Sequence, residues 1–238
     1  MTASSTIAAR IATLRQRLDT LATDAGREPG SVTLLPVSKT FPNEAVRAAL
    51  AAGMTRFGEN KAQAIRDRAA ALADTNAQRV MIGHLQTNKA RDIARHASEI
   101  QSLDRRELAQ ALQRRLEIEG RHLDALVQVK TSPEPAKSGL DPAELEDFLR
   151  FVAQETPRLR VQGLMTMAVN DTDPQAVRAC FRRLRELRDA MQEKNIPGIG
   201  LQRLSMGMSG DYELAVAEGS TEVRIGSAIF GDRSYNSF

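Results

Sequence analysis

The chain has 238 residues, enough for one large core or two small ones, and its 42% hydrophobic and 26% charged residues describe an ordinary soluble globular protein. The formal net charge is only +3 although the pI is near 9.3, and basic residues are interleaved with acidic ones, so composition gives no support for a nucleic-acid partner. The single cysteine, Cys180, excludes an internal disulfide and every multi-cysteine metal motif, and with His84, His96 and His122 scattered no metal site is expected.

The N-terminal stretch MTASSTIAARIATLRQRL carries arginines within its apolar periodicity, which argues against a signal peptide and a membrane span; no other segment approaches a span, and a cytoplasmic protein is expected. Ile7, Ile11, Leu14, Leu18 and Leu21 recur at spacings of three and four and predict an amphipathic helix ending near Gly26. Beyond it, short apolar runs at VTLLPVS, TRF, RVMI, EIQSL, DALVQV, VQGLMTM, RLSMG and EVRIG are separated by segments of helical periodicity. Leu108, Leu112 and Leu116 share one such helical face, and Val177, Phe181, Leu184, Leu187 and Met191 another. A strand followed by a helix, repeated eight times, predicts an α/β fold of the (β/α)8 TIM-barrel type with an extra N-terminal helix, as a single domain over 1–238. A doubly wound open sheet is the alternative. Pro36 falls inside the first run and predicts an edge or an irregularity there, and the loop TSPEPAKSG is expected to be long and mobile.

In a parallel barrel the chemistry sits at the C-terminal ends of the strands. The residues that follow the runs are Lys39, then Glu59 and Asn60, His84, Ser102 and Asp104, Lys130 and Thr131, Met165 and Met167, and finally the segments SMGMSGD and RIGS. Ser205, Met206, Gly207, Ser209 and Gly210 are expected to form a loop of small residues through which backbone N–H groups can approach an anion. Gly226 and Ser227 offer the same directly after the eighth run, and loops seven and eight are a common phosphate site in barrels. Arg224 shares its strand face with Gly226, so it points toward the mouth, where it needs an acceptor: a pyridine nitrogen, or a carboxylate such as Glu59 or Asp211. A lysine at a strand end near a second cation has its neutral form favoured and can attack an aldehyde, which is the role expected of Lys39. Phosphate loops, arginine and amine together describe a pocket for pyridoxal 5'-phosphate, PLP.

The segments VSKTFP, RFGEN, IGHLQTNK, KSGL, QGLMTM, LSMGMSGD and GSTEVRIGSAIFG, in this order, resemble the pyridoxal phosphate homeostasis protein family, and the similarity runs from about Val32 to Gly231. The resemblance implies a barrel similar to the N-terminal domain of alanine racemase, with Lys39 as the Schiff-base lysine and Arg224 as partner of the pyridine nitrogen. It implies that Ser205, Gly207, Gly226 and Ser227 hold the phosphate, that Met206 contributes backbone, and that Asn60 lies near the cofactor. This sequence departs from the family's usual tryptophan-histidine pair before its IG-x-LQ segment, reading RVMIGHLQ instead, so no role transfers to His84; QVKT likewise stands where an asparagine is common, and no role transfers to Lys130.

Two functions follow from such a pocket. The first is a PLP-binding protein that holds and transfers the cofactor, with PLP-dependent apo-enzymes as recipients and no substantial catalysis of its own. The alternative is an amino-acid racemase, which needs an acid or base on the substrate face opposite the lysine. With Tyr212 and Tyr235 as the only tyrosines, and little chain after the eighth run, no such group is evident in the sequence. The methionines at strand ends are expected to pack a pocket wall, the run RRLRELRD from Arg182 to Asp189 reads as the solvated face of a helix, and a monomer is expected.

Overall fold

A computed structural model describes residues 6–132 and 138–231; residues 133–137 of the loop expected to be mobile, and Tyr235, lie outside the described residues. Its strands are β1 (Thr33–Pro36), β2 (Arg56–Glu59), β3 (Gln78–Met81), β4 (Glu99–Leu103), β5 (Leu123–Gln128), β6 (Leu159–Met165), β7 (Arg203–Met208) and β8 (Glu222–Ile225). The helices are α1 (Ile7–Asp24), α2 (Asn43–Ala51), α3 (Ala62–Ala71), α4 (Ala90–His96), α5 (Arg106–Ile118), α6 (Leu145–Glu155), α7 (Pro174–Glu193), α8 (Tyr212–Ala217) and α9 (Ser227–Phe230).

All strand pairs are parallel, and the hydrogen-bonded order is β1-β8-β7-β6-β5-β4-β3-β2. The remaining seam, between β1 and β2, is bridged by Val37 against Gly58, with the Ser38 N–H donating to the Gly58 carbonyl at 3.0 Å. The sheet is thus a nearly closed eight-stranded barrel with helices between its strands, not the open sheet. Pro36 finds its explanation at the seam. The N–H groups of Thr33 and Val37 point to β8, each donating at 2.8 Å to Thr221 and Ile225 carbonyls, so by alternation the Pro36 nitrogen faces β2 where the ladder is interrupted.

Helix α1 starts where the Thr6 hydroxyl accepts from the Ala9 N–H at 3.2 Å, and buries Ile11, Leu14, Leu18 and Ala22. These meet Val46 and Ala49 of α2, Val216 of α8, Val223 and Ile225 of β8, and Ile229 of α9. Because α9 is only four residues long, α1 supplies the cover over β8 and β1 that a full crossover helix would otherwise give. A second apolar cluster runs from Ile65 through Leu112, Phe148 and Phe181 to Met206, and packs the outer faces of the other strands against α3 to α7.

The inside of the barrel is mixed. Leu35, Val80 and Leu126 are fully buried there, but strands β2, β4, β7 and β8 alternate apolar residues outward with Arg56, Glu99, Gln101, Arg203, Ser205, Glu222 and Arg224 inward. Burying that many polar groups is tolerable only when each is hydrogen-bonded. Arg56 reaches Glu99 and Glu222 at 2.7 Å each, and Arg203 reaches the same two carboxylates at 2.9 and 2.8 Å.

Candidate functional site

Lys39 stands on a tight turn. The Phe41 N–H donates to the Ser38 carbonyl at 3.1 Å, and Thr40 has φ 70°, an uncommon conformation for a β-branched residue. Arg68, from α3, holds this turn from beneath: its guanidinium donates to the carbonyls of Ser38 and Phe41 at 3.1 Å each and to Asn43 Oδ1 at 3.0 Å. Its Nε lies 2.7 Å from Glu59 Oε1, which also accepts the Ser38 hydroxyl at 2.6 Å. Glu59 therefore belongs to Arg68 rather than to Arg224. On the other flank, Phe41 packs on Phe230 with ring centroids 4.9 Å apart, joining the lysine turn to the end of α9.

Arg224 projects from β8 into the barrel and is 4% exposed. Its Nη1 donates to Ser205 Oγ and its Nη2 to the Thr166 carbonyl, both at 2.8 Å. Burial lowers its pKa to about 10, against the opposing pull of Glu222 and Asp211, so it remains a cation at neutral pH.

A cavity of about 430 Å³ opens at the C-terminal mouth of the barrel and is lined by Lys39, Asn60, Arg224, Gly226 and Ser227, together with Met208, Ser209 and Gly210. Of the residues singled out in the sequence for the cofactor, Lys39, Asn60, Arg224, Gly226 and Ser227 meet there, with Ser209 and Gly210 of the anion-binding segment. Ser205, Met206 and Gly207 do not line it. They belong to β7: Ser205 faces the barrel axis between Gln101 and Arg224, while Met206 points outward into the apolar cluster. Gly207 has φ 96°, and a Cβ on it would lie 2.6 Å from the Ala215 Cβ, so its bare backbone is what lets α8 approach the strand. The register of β7 against β8 slips by one residue between Ser205 and Met208, and this bulge carries Ser209 over the cavity. There the hydroxyl of Ser227 lies 3.5 Å from that of Ser209, so the loops after β7 and β8 meet.

Sequence reasoning missed part of the wall. His84 lines the cavity, with Nδ1 3.6 Å from Asp104 Oδ2. Gln128 lines it too, holding the Ser138 carbonyl at 2.9 Å, and Phe41 and Ile82 add apolar surface beside Met167, a strand-end methionine expected in a pocket wall. Period two from Val80 would have placed Ile82 on the inner face, and from Leu126 would have placed Gln128 there; His84 lies beyond the strand, where alternation no longer applies. The basic run of α7 is also more specific than a solvated face: Arg178, Arg182 and Arg185 converge on the buried Glu218 at 3.0, 3.1 and 3.3 Å.

A parallel barrel with an amine, a buried guanidinium and small-residue loops at its C-terminal mouth defines a class, and the profile described as alanine racemase, N-terminal domain, matches residues 10–234. The pyridoxal phosphate homeostasis protein of Pseudomonas aeruginosa is 44% identical over 231 residues, covering 97% of each chain. This chain belongs to the pyridoxal phosphate homeostasis protein family. Among solved structures, PipY of Synechococcus elongatus with PLP bound superposes with a TM-score of 0.83 at 37% identity, covering 94% of this chain and all of that one. Alanine racemase from Corynebacterium glutamicum superposes with a TM-score of 0.65 at 17% identity, covering 94% of this chain and 62% of that one, and shares the fold.

Proposed function

We propose that this protein binds PLP at Lys39 and acts as a carrier in PLP homeostasis, holding the cofactor and yielding it to PLP-dependent apo-enzymes. The observation that carries the reading is the convergence of Lys39, Arg224 and the loops Met208–Gly210 and Gly226–Ser227 on one cavity. Family membership and the PLP-bound PipY structure support it.

The residues present fit the cofactor. Two of the five N–H groups of Arg224 are used on Ser205 and Thr166, which leaves donors for a neutral acceptor such as a pyridine nitrogen. Gly226 has the Val37 carbonyl 3.2 Å from where a Cβ would sit, and Gly210 has nothing within 4 Å of that point, so the loops present bare backbone to the cavity. When bound, PLP supplies an aldehyde that a primary amine captures and a ring that withdraws electrons. Lys39 would supply that amine, Arg224 would hold the ring nitrogen as a donor, Ser209, Gly210, Gly226 and Ser227 would hold the phosphate, and Asn60 would lie beside the ring. A donor that stays cationic disfavours protonation of the ring nitrogen and so weakens the ring as an electron sink, which suits storage better than turnover.

Of the described residues, only Ile118, Met167 and Met208 are large hydrophobics that are exposed, and the two methionines line the cavity, which supports a monomer. Titrating PLP into the wild type is expected to raise a visible absorption band that saturates at one equivalent. Lys39→Ala should bind without that band, and a band of equal height in the variant would overturn the assignment.

His84, oriented beside Asp104 in the cavity wall, favours a second reading in which the site exchanges amino-acid α-protons. The relatives are named homeostasis proteins, and the expectation is slow, unsaturable exchange in deuterated buffer followed by NMR. Saturable exchange abolished by His84→Ala would establish the racemase-type activity instead.

A further inference from the structure

A continuous hydrogen-bond chain runs along the barrel axis from Arg224 to the carboxylates at the far end. Arg224 Nη1 donates to Ser205 Oγ at 2.8 Å, and Ser205 Oγ donates to Gln101 Oε1 at 2.8 Å. Gln101 Nε2 donates to Glu99 Oε1 at 2.7 Å and to Glu222 Oε1 at 2.5 Å. Each link admits one polarity. Two carboxylates take both amide hydrogens of Gln101, so its oxygen must face Ser205. The Ser205 proton is thereby committed to Gln101, and only its lone pairs remain for Arg224.

The anchor is fully paired. Arg56 and Arg203 each bind both carboxylates, and although burial works to raise the pKa of Glu222, these two guanidiniums hold it below the ordinary carboxylate range. Ser205, Gln101 and Glu222 are fully buried.

We propose that Gln101, acting through Ser205, is the positioning residue for Arg224, fixing the guanidinium where it donates to the cofactor ring. The inference rests on the PLP reading above and gives Ser205 a different task from phosphate binding. The chain stops a buried serine hydroxyl from competing with Arg224 as a donor, and ties the cavity floor to a charge cluster that does not move with the loops.

The test compares Ser205→Ala, Gln101→Met and the double variant, using PLP, pyridoxal and ring-15N-labelled PLP. In Ser205→Ala the Kd for PLP and that for pyridoxal should rise together by roughly tenfold, the worth of one hydrogen bond to a charged group. The ring 15N resonance should move toward the value of a pyridine without a donor. The double variant should be no weaker than the weaker single variant, because both cut one chain. Loss of affinity for PLP with none for pyridoxal would return Ser205 to the phosphate and overturn the inference, as would an unmoved 15N resonance or additive losses. If Gln101→Met does not fold, the Ser205→Ala affinities and 15N shift decide alone. Borohydride capture of PLP on wild-type Lys39 is the separate control: its absence sinks the cofactor reading, whereas its presence with unchanged Ser205→Ala behaviour sinks only the chain.

Discussion

Lys39, to which the proposed function assigns the chemistry, has its position set by Arg68, whose guanidinium gathers the carbonyls of Ser38 and Phe41 while paired with the fully buried Glu59. Removing one member of a buried pair leaves the other charged and unsolvated, a loss of about 3–5 kcal/mol. Arg68→Leu is therefore expected to lower the free energy of unfolding in urea by that amount, and a loss below about 1 kcal/mol would show that the clamp holds nothing. Lys39 was legible from VSKTFP, where one amine follows an apolar run. Arg68 was not, because it meets the Ser38 and Phe41 carbonyls, which leave no trace in side-chain identity, and Asn43 and Glu59, which no local spacing pairs with it. Arg224 lies between: alternation gave its direction correctly, but that its guanidinium donates to the Ser205 hydroxyl and the Thr166 carbonyl, with Glu59 held by Arg68, needed the fold.

Among the elements, β7 separates what pattern can show from what it cannot. SMGMSGD reads as a loop because of its glycines, yet the strand continues to Met208 through a bulge at which Gly207 takes φ 96°. Gly207→Ala is expected to cost about 1–3 kcal/mol in strain and overpacking and to weaken PLP binding, since the displaced strand carries Ser209 and Gly210; denaturant curves and a PLP titration measure both effects. An unchanged midpoint would remove the structural role given to this glycine. Helix α7 makes a different prediction. Burial of Glu218 works to raise its pKa, but hydrogen bonds from Arg182 and Arg178 outweigh it and leave the group below its ordinary 4.5. A carboxylate whose pKa is depressed by folding stabilises fully above the unfolded value and loses that contribution as pH falls through the folded one. The melting temperature of Glu218→Gln should hence lie below that of the wild type at pH 7, with the gap closing below about pH 4; a gap independent of pH would contradict the ion-pair account.

At the scale of the whole molecule, the eight strands and the extra helix were legible because strand and helix periods alternate cleanly along the chain. Two features were not. That α1 covers β8 and β1 beside the short α9 follows from its burial against α2, α8 and α9, which no local pattern encodes. The charged interior was written in EIQSL, RLSMG and EVRIG as polar-apolar alternation, but which face turns inward is decided only when the sheet closes and Arg56 and Arg203 meet Glu99 and Glu222.

Among the described residues, Lys39 is the lysine that lines the cavity beneath which the barrel's polar axis ends, and the proposed function makes its amine the reactive one. The direct measurement is to add one equivalent of PLP, reduce with borohydride, digest, and locate the modification by mass spectrometry. The account predicts the label on the peptide containing Lys39. Label confined to Lys61, Lys89, Lys130, Lys137 or Lys194, or spread evenly among the lysines, would contradict it.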